Sequence, residues 1–268
     1  MGEDQGSVRR GLPTRALSQV ASLAPKSKLH VAAGLLNTRF EPEMRKIVSR
    51  CDPNGVAIDV GAWYGPWTYW LSKRVLNVHS FEPNPRVAEI LRKGVASNVL
   101  VHECAASDVA GTADLVLQKL GLGSEGTASI VPGVEGLASY SVKTQRIDDM
   151  NFTDVRFIKI DVEGHERAVL DGAMTTITTY YPVLFVELEE RMTNLDATVG
   201  LLTNIGYEAR FFMDHKWISA TEFDLAQWQR DYRSSHGSRS YLQTLLRGDG
   251  YVNDVAFVHP KSTWSPWD

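Results

Sequence analysis

The sequence predicts an α/β protein built on a doubly wound sheet, and three observations carry that expectation. From residue 56 onward, short β-competent apolar runs alternate with helical patterns. Several of those runs end in a carboxylate. The first passes straight into two glycines and a proline, which suits a tight turn from a strand into a helix.

Residues 1–12 are polar and glycine-bearing and read as disordered. Between Pro13 and Pro25, Leu17, Val20, Ala21 and Ala24 recur at helical spacing, flanked by Arg15, Lys26 and Lys28. A membrane-surface helix would look like this. The favoured expectation is a helix packed on the main domain, or on a second subunit of a homodimer. A further helix is expected over 41–50, stopped by the Asp52-Pro53-Asn54-Gly55 turn. Residues 1–54 thus form an N-terminal helical arm, ahead of one domain over 55–268.

Within that domain, strands are expected at 56–60, 78–81, 100–103, 155–160, 182–188, 207–213 and 254–259. Helices are expected at 66–74, 86–96, 165–174 and 196–205. Two insertions break the alternation. One, at 112–145, reads as a β-hairpin of 112–118 and 140–145 joined by the glycine-rich segment 121–136. The other, at 220–250, is longer than an ordinary connection, and Thr221 with Asp224 resembles a capping box.

Composition narrows the function classes. The 268 residues are 43% hydrophobic and 22% charged, as in ordinary globular enzymes, and the length suits one sizeable core. A net charge of −4 argues against a nucleic-acid partner. Two cysteines, Cys51 and Cys104, suggest no disulfide framework. No apolar run reaches the ~20 residues of a transmembrane segment, and no secretory signal opens the chain. A cytoplasmic protein is expected.

Ligands of doubly wound sheets bind beyond the carboxyl ends of the strands, and the chemistry-bearing residues gather there. VAIDVGAWYG places Asp59, Gly61, Ala62 and Gly65 around the first turn. Its glycine spacing is not the G-x-G-x-x-G of dinucleotide sites. An acid before a looser glycine pair suits a cofactor with a cationic amino-acid end, such as S-adenosylmethionine. Glu82, in SFEPNP with Asn84, stands where an acid accepts hydrogen bonds from ribose hydroxyls. Ala106, Ser107 and Asp108 follow the third strand, with room for an adenine ring. Asp161 and Glu163 close the fourth strand, and Glu187 and Glu189 lie at the end of the fifth. His79 and His102 read as packed core histidines, and Glu166 as an acid favouring a helix N-terminus.

In order, VAIDVGAWYG, SFEPNP, HECAASD, VKTQRIDDM, RFIKIDVEGHERAVLDG and PVLFVELE resemble the FkbM family of class I S-adenosylmethionine-dependent methyltransferases. The resemblance runs from about Gly55 to Pro260. It implies a Rossmann-like sheet, mostly parallel with an antiparallel last strand and helices on both faces. Asp59, Gly61 and Gly65 would hold the methionine end of the cofactor, Glu82 the ribose, and 106–108 the adenine side. Asp161 would lie next to the methyl group. Trp63 stands where the family often has asparagine.

The activity so implied is O-methylation of a sugar or glycan hydroxyl, on a polysaccharide, glycolipid or glycosylated natural product. The alternatives are methylation of a non-sugar natural product, or a non-catalytic cofactor-binding protein. A poor hydroxyl nucleophile calls for a base or a metal. Asp161 and Glu187 could hold Mg²⁺, or form hydrogen bonds within the cofactor site without metal. His215 is the first-choice base and His165 the second, because a helix N-terminus disfavours an imidazolium.

Overall fold

The computed structural model describes residues 29–38, 41, 43–117, 128–131, 133, 136–213, 216–236 and 251–267. The helix expected at 13–25, His215, residues 118–127 of the hairpin insertion and residues 237–250 lie outside the described residues.

Two helices, α1 (Leu29–Asn37) and α2 (Glu43–Arg50), precede β1 (Val56–Val60). Then come α3 (Pro66–Leu71), β2 (Asn77–Phe81), α4 (Pro85–Arg92) and β3 (Val99–His102). β4 (Ala105–Ala106), β5 (Gly111–Leu117) and β6 (Ala138–Gln145) form a separate three-stranded sheet in the order β4-β6-β5. β7 (Val155–Ile160), α5 (Glu166–Asp171), α6 (Met174–Tyr180), β8 (Val183–Glu187) and α7 (Leu195–Thr203) follow. β9 (Glu208–Met213), β10 (Lys216–Ser219), α8 (Leu225–His236) and β11 (Asp254–Val258) end the described chain.

The main sheet has eight strands in the order β10-β9-β11-β8-β7-β1-β2-β3. β3, β2, β1, β7 and β8 pair in parallel, while β11 runs antiparallel to both β8 and β9. The chain winds outward from β1 to β3 and then returns to β7 on the other side of β1. That reversal puts the ligand crevice at the carboxyl ends of β1 and β7.

Strand alternation divides the core in two. On one face Phe157 and Phe185 meet Trp67 and Leu71 of α3 and Met44 and Ile47 of α2. On the other, Ile58, Ile158 and Ile160 meet Val169, Leu170 and Ile177 of α5 and α6. Helices therefore cover both faces, as expected for interior parallel strands.

The structure departs from the sequence reading in instructive places. Helix α6 was not expected, because its threonine run MTTITTY has weak helix propensity. Asp148 stabilises its start, accepting from the backbone N–H groups of Thr175 and Thr176 at 3.0 and 2.8 Å. α8 opens later than the Thr221 capping box implies. Asp224 Oδ1 accepts from the Gln227 N–H at 2.8 Å, whereas Thr221 Oγ1 lies 2.9 Å from Ser219 Oγ in the preceding turn. Ala105 and Ala106 form a short strand against Thr144 and Gln145 rather than a loop.

His79 and His102 pack as the sequence suggested, with Nδ1 and Nε2 3.0 Å apart and Phe152 against both rings. Burial lowers the pKa of His79, and lowers that of His102 from 6.5 to about 4, helped by the neighbouring imidazole. A depressed folded-state value means that the stability is present above the unfolded value and lost as pH falls through the folded one. Thermal stability should therefore fall more steeply between pH 6.5 and 4 in wild type than in His102→Leu. Parallel slopes in melts across that window would discount the pair.

Cys51 and Cys104 are free and buried, and burial pushes both thiols up, Cys104 to about 11. Among the described residues, no helix is long and apolar enough to cross a membrane.

Candidate active site

The turn after β1 begins with Gly61 at φ +78°, where a Cβ would stand 1.8 Å from the Asp161 carbonyl oxygen of the neighbouring strand end. Only glycine fits this approach. Gly61 and Ala62 both donate backbone hydrogen bonds to Phe81 O, so the turn leans over β2. Gly65, at φ +77°, then caps α3, with Pro66 in the first turn. Ala62 is buried with Ala88, Leu91 and Val101 and contributes backbone alone.

Glu82 ties the two strand ends together. Its Oε2 accepts from the Trp63 backbone N–H at 2.9 Å and its Oε1 from the Asn84 N–H at 2.8 Å. The carboxylate is thereby fixed at the mouth of the crevice. Asn84 was expected to touch the cofactor. Its Oδ1 instead caps α4, accepting from the Arg86 and Val87 N–H groups at 3.1 and 3.4 Å. Its Oδ1 is committed to the helix end.

Trp63 adopts φ +49°, uncommon for a bulky residue. Its indole Nε1–H is buried without a partner, a donor that a ligand with oxygen or nitrogen acceptors would satisfy. Together with the glycine turn and fixed Glu82, it fits an adenosyl cofactor on the β1 and β2 ends.

Asp59 is a correction to the expected cofactor contact. Alternation turns it onto the Ala57 face of β1, below the turn, where it is 2% exposed. Its Oδ2 accepts from Thr68 Oγ1 at 2.5 Å, and Thr68 Oγ1 also lies 2.7 Å from Ser80 Oγ. Burial raises its pKa to about 6 against the opposing effects of Thr68 and Lys159. Asp59 thus anchors α3 beneath the site.

Beside it lies the feature the sequence reading passed over. Lys159, paired in register with Asp59 across β1 and β7, is 2% exposed. Its Nζ sits 3.4 Å from Asp161 Oδ2 and 5.8 Å from the centre of the Trp67 ring. Burial opposes its charge, but Asp161, Asp254, Glu41 and Asp59 outweigh burial and hold its pKa above the usual lysine value. Two of these acids come from beyond the expected motifs. Glu41 accepts from Asn37 Nδ2 at 2.7 Å and from Trp67 Nε1 at 2.6 Å, and burial raises its pKa. Asp254 opens β11 opposite Glu187. Glu43, in the first turn of α2, is held well above the usual carboxylate range by burial and by Asp254 and Glu41. The period of two in FIKID was the available signal, since it puts Lys159 and Asp161 on one face.

Asp161 and Glu187 do stand at neighbouring strand ends, but they do not fit the expected Mg²⁺ site. Asp161 already faces the Lys159 ammonium, and Glu187 Oε1 accepts from Asn253 Nδ2 at 2.5 Å. Among the described residues, no group of three or more His, Cys, Asp or Glu comes together to hold a metal. Glu189 is likewise engaged, by Tyr251 OH at 3.0 Å and Arg191 Nε at 3.3 Å.

His165 stands just before α5, its Nε2 2.9 Å from Ser107 Oγ, and Ser107 Oγ donates to Asp108 Oδ1 at 3.0 Å. With that hydroxyl hydrogen given to Asp108, Nε2–H is the donor to Ser107, which leaves Nδ1 as the acceptor of the neutral ring. Burial lowers the His165 pKa against the pull of Asp108. Next to it, Glu166 is 3% exposed. Its Oε1 accepts from the Gly164 N–H at 2.8 Å, and burial raises its pKa to about 7.

Both insertions reach this end of the sheet. Ser129 bridges to Val116 and donates from Oγ to the Glu163 carbonyl at 3.0 Å. Gln229 of α8, fully buried, donates to the Leu188 and Val252 carbonyls at 2.9 and 3.0 Å and accepts from the Glu190 N–H at 2.8 Å. Between α8 and the β8–α7 loop opens a cleft of about 460 Å³, bordered by polar side chains such as Glu190, Arg191 and Arg230 and by the apolar Met192, Leu195 and Ala226.

An FkbM methyltransferase from Methylobacillus flagellatus KT shares 17% identity, with 91% of this chain covered and a TM-score of 0.48. The match spans 58% of that protein's length. A precorrin-6y C5,15-methyltransferase from Geobacter metallireducens GS-15 shares 12% identity over 82% of this chain and 86% of its own, with a TM-score of 0.43. Magnesium protoporphyrin IX methyltransferase from Synechocystis PCC 6803 shares 10% over 87% and 83%, with a TM-score of 0.41. No curated protein matches the chain. The profile of the methyltransferase FkbM domain matches residues 55–215, which span the Gly61 turn, Glu82, the Ser107–His165 pair and the Lys159–Asp161 strand end, and the chain therefore belongs to the FkbM methyltransferase domain family.

Proposed function

We propose that this methyltransferase uses S-adenosylmethionine to methylate a hydroxyl of a sugar or glycan. The observation that carries the cofactor half is the Glu82 clasp, a carboxylate fixed by two backbone N–H groups at the end of β2, beside the Gly61 turn. In such a crevice Glu82 would receive the ribose hydroxyls, the 106–108 segment the adenine side, and Gly61 and Trp63 the methionine end. When bound, the cofactor supplies a methyl group whose carbon–sulfur bond breaks with its electron pair left on sulfur.

The chain's own part is to align the acceptor and take its proton. Asp161, with a side chain 34% exposed at the end of β7, is the accessible carboxylate there. His165, neutral and with Nδ1 free to accept, is the second candidate base. His215, the first choice from the sequence, lies outside the described residues and stays a proposal for the base. The cleft along α8 supports an acceptor rich in hydroxyl groups, because Glu190, Arg191, Thr193, Asn194, Asp196 and Arg230 offer donors and acceptors beside the apolar Met192, Leu195 and Ala226.

Two measurements test this reading. S-Adenosylhomocysteine should bind the purified protein and NAD should not. Glu82→Ala should weaken that binding by ~1.5–3 kcal/mol, the range for hydrogen bonds to a charged group. Unchanged affinity by calorimetry would take Glu82 out of the site. Transfer of labelled methyl onto a panel of mono- and oligosaccharides tests the acceptor, and transfer confined to non-sugar hydroxyls would redirect it.

A further inference from the structure

Helix α1 lies outside the matched domain, which begins at residue 55, yet it packs on the turn that carries the site. Leu29 and Ala33 of α1 are buried. They form a cluster with Tyr64 of the turn and with Val87 and Ile90 of α4, and Trp63 packs against that cluster. Gly34 lets α1 seat closely on α3, since a Cβ there would stand 2.4 Å from Tyr69 Cδ1 and 2.9 Å from Tyr69 Cβ. Its carbonyl accepts from Trp70 Nε1 at 2.8 Å. His30 meets the Tyr69 ring edge-on, with ring centres 5.8 Å apart.

Trp63 is where this packing reaches the site. Its φ of +49° is a left-handed conformation that a bulky residue keeps only when its surroundings hold it there. Two contacts do so. The backbone N–H donates to Glu82 Oε2 at 2.9 Å, and the ring packs on the cluster shared by α1 and α4. Without support for the ring, the residue would relax toward an ordinary conformation and its N–H would swing away from Glu82. We propose that Trp63 is a positioning residue through which α1 holds the Glu82 clasp, so that the N-terminal arm is a working part of the cofactor site. The inference rests on the reading of Glu82 as a group that binds the cofactor.

Calorimetry with S-adenosylhomocysteine reads the clasp, and urea unfolding of the same proteins reads stability. Gly34→Ala raises the helix propensity of α1 but wedges it away from Tyr69. Leu29→Ala empties part of the cluster. Each should weaken binding about 10-fold, the order expected when one strained residue is released. In a Trp63→Asn background, where the side chain tolerates a left-handed backbone, the same two substitutions should change affinity by less than about 3-fold. Trp63→Phe keeps a ring without the indole N–H, and should keep the full dependence on α1. Leu202→Ala, in the core beneath α7, should lower stability and leave affinity unchanged. Wild-type affinity in both α1 variants overturns the inference. So does an equal loss in the Trp63→Asn background, or an equal loss in Leu202→Ala. Failure of wild type to bind S-adenosylhomocysteine, or unchanged affinity in Glu82→Ala, would instead remove the cofactor reading beneath it.

Discussion

Replacing Gly61 by alanine is expected to unfold the cofactor turn and cost about 4 kcal/mol or more, beyond the usual range for a single substitution. The new Cβ would stand 1.8 Å from the Asp161 carbonyl oxygen, which is backbone and cannot rotate away. Relief would require β1 and β7 to separate, although they are paired from Val56 to Val60. The positive φ of +78° adds strain. For a domain of this size the melting temperature should drop by roughly 8–16 °C, and binding of S-adenosylhomocysteine should vanish with it. Gly133 provides the control, since its φ is +84° but nothing lies within 4 Å of its Cβ position. Gly133→Ala should carry only the backbone penalty, of roughly 1–2 kcal/mol. Equal losses in the two variants, read by denaturant unfolding, would show that the contact with Asp161 is unimportant.

Lys159→Met in the otherwise native chain should cost about 3–5 kcal/mol near neutral pH, the usual penalty for removing one partner of a buried ion pair. The methionine fills the space of the stem but leaves Asp59, Asp161, Glu41 and Asp254 without their shared counter-ion. The buried acids should respond by taking up protons at higher pH. A carboxyl whose folded value is raised, as Asp59 already is, from 3.8 to about 6, contributes stability that is present below the unfolded value. That stability is lost as pH rises through the folded one. The difference between wild type and variant should therefore be largest near pH 7 and narrow toward pH 4. Urea unfolding at both ends of that window is the measurement. A difference that stays constant with pH would mean that the methionine disturbs packing rather than charge.

The sequence by itself determined the sheet and the line of the crevice. Strands such as 56–60 and 155–160 were legible to the residue because interior parallel strands are short, continuous apolar runs with glycine or acid at their ends. The placement of Gly61, Gly65 and Glu82 at the turn was legible for the same reason, since it follows from backbone conformation and strand-end position. Tertiary structure alone decided which acids face a ligand and which face one another. Asp59 and Asp161 look equivalent in sequence, yet one lies beneath α3 with Thr68 and the other stands half-open beside Lys159. Glu41, Glu43 and Asp254 join them from segments more than a hundred residues from Lys159 in one direction and about that far in the other, distances over which no local pattern can signal contact. The charge cluster exists because the α2 entry, β1, β7 and β11 meet at one end of the sheet. Burial there makes each carboxyl depend on the others and on a single ammonium, and that dependence on low-dielectric surroundings is a property of the folded packing, not of the chain.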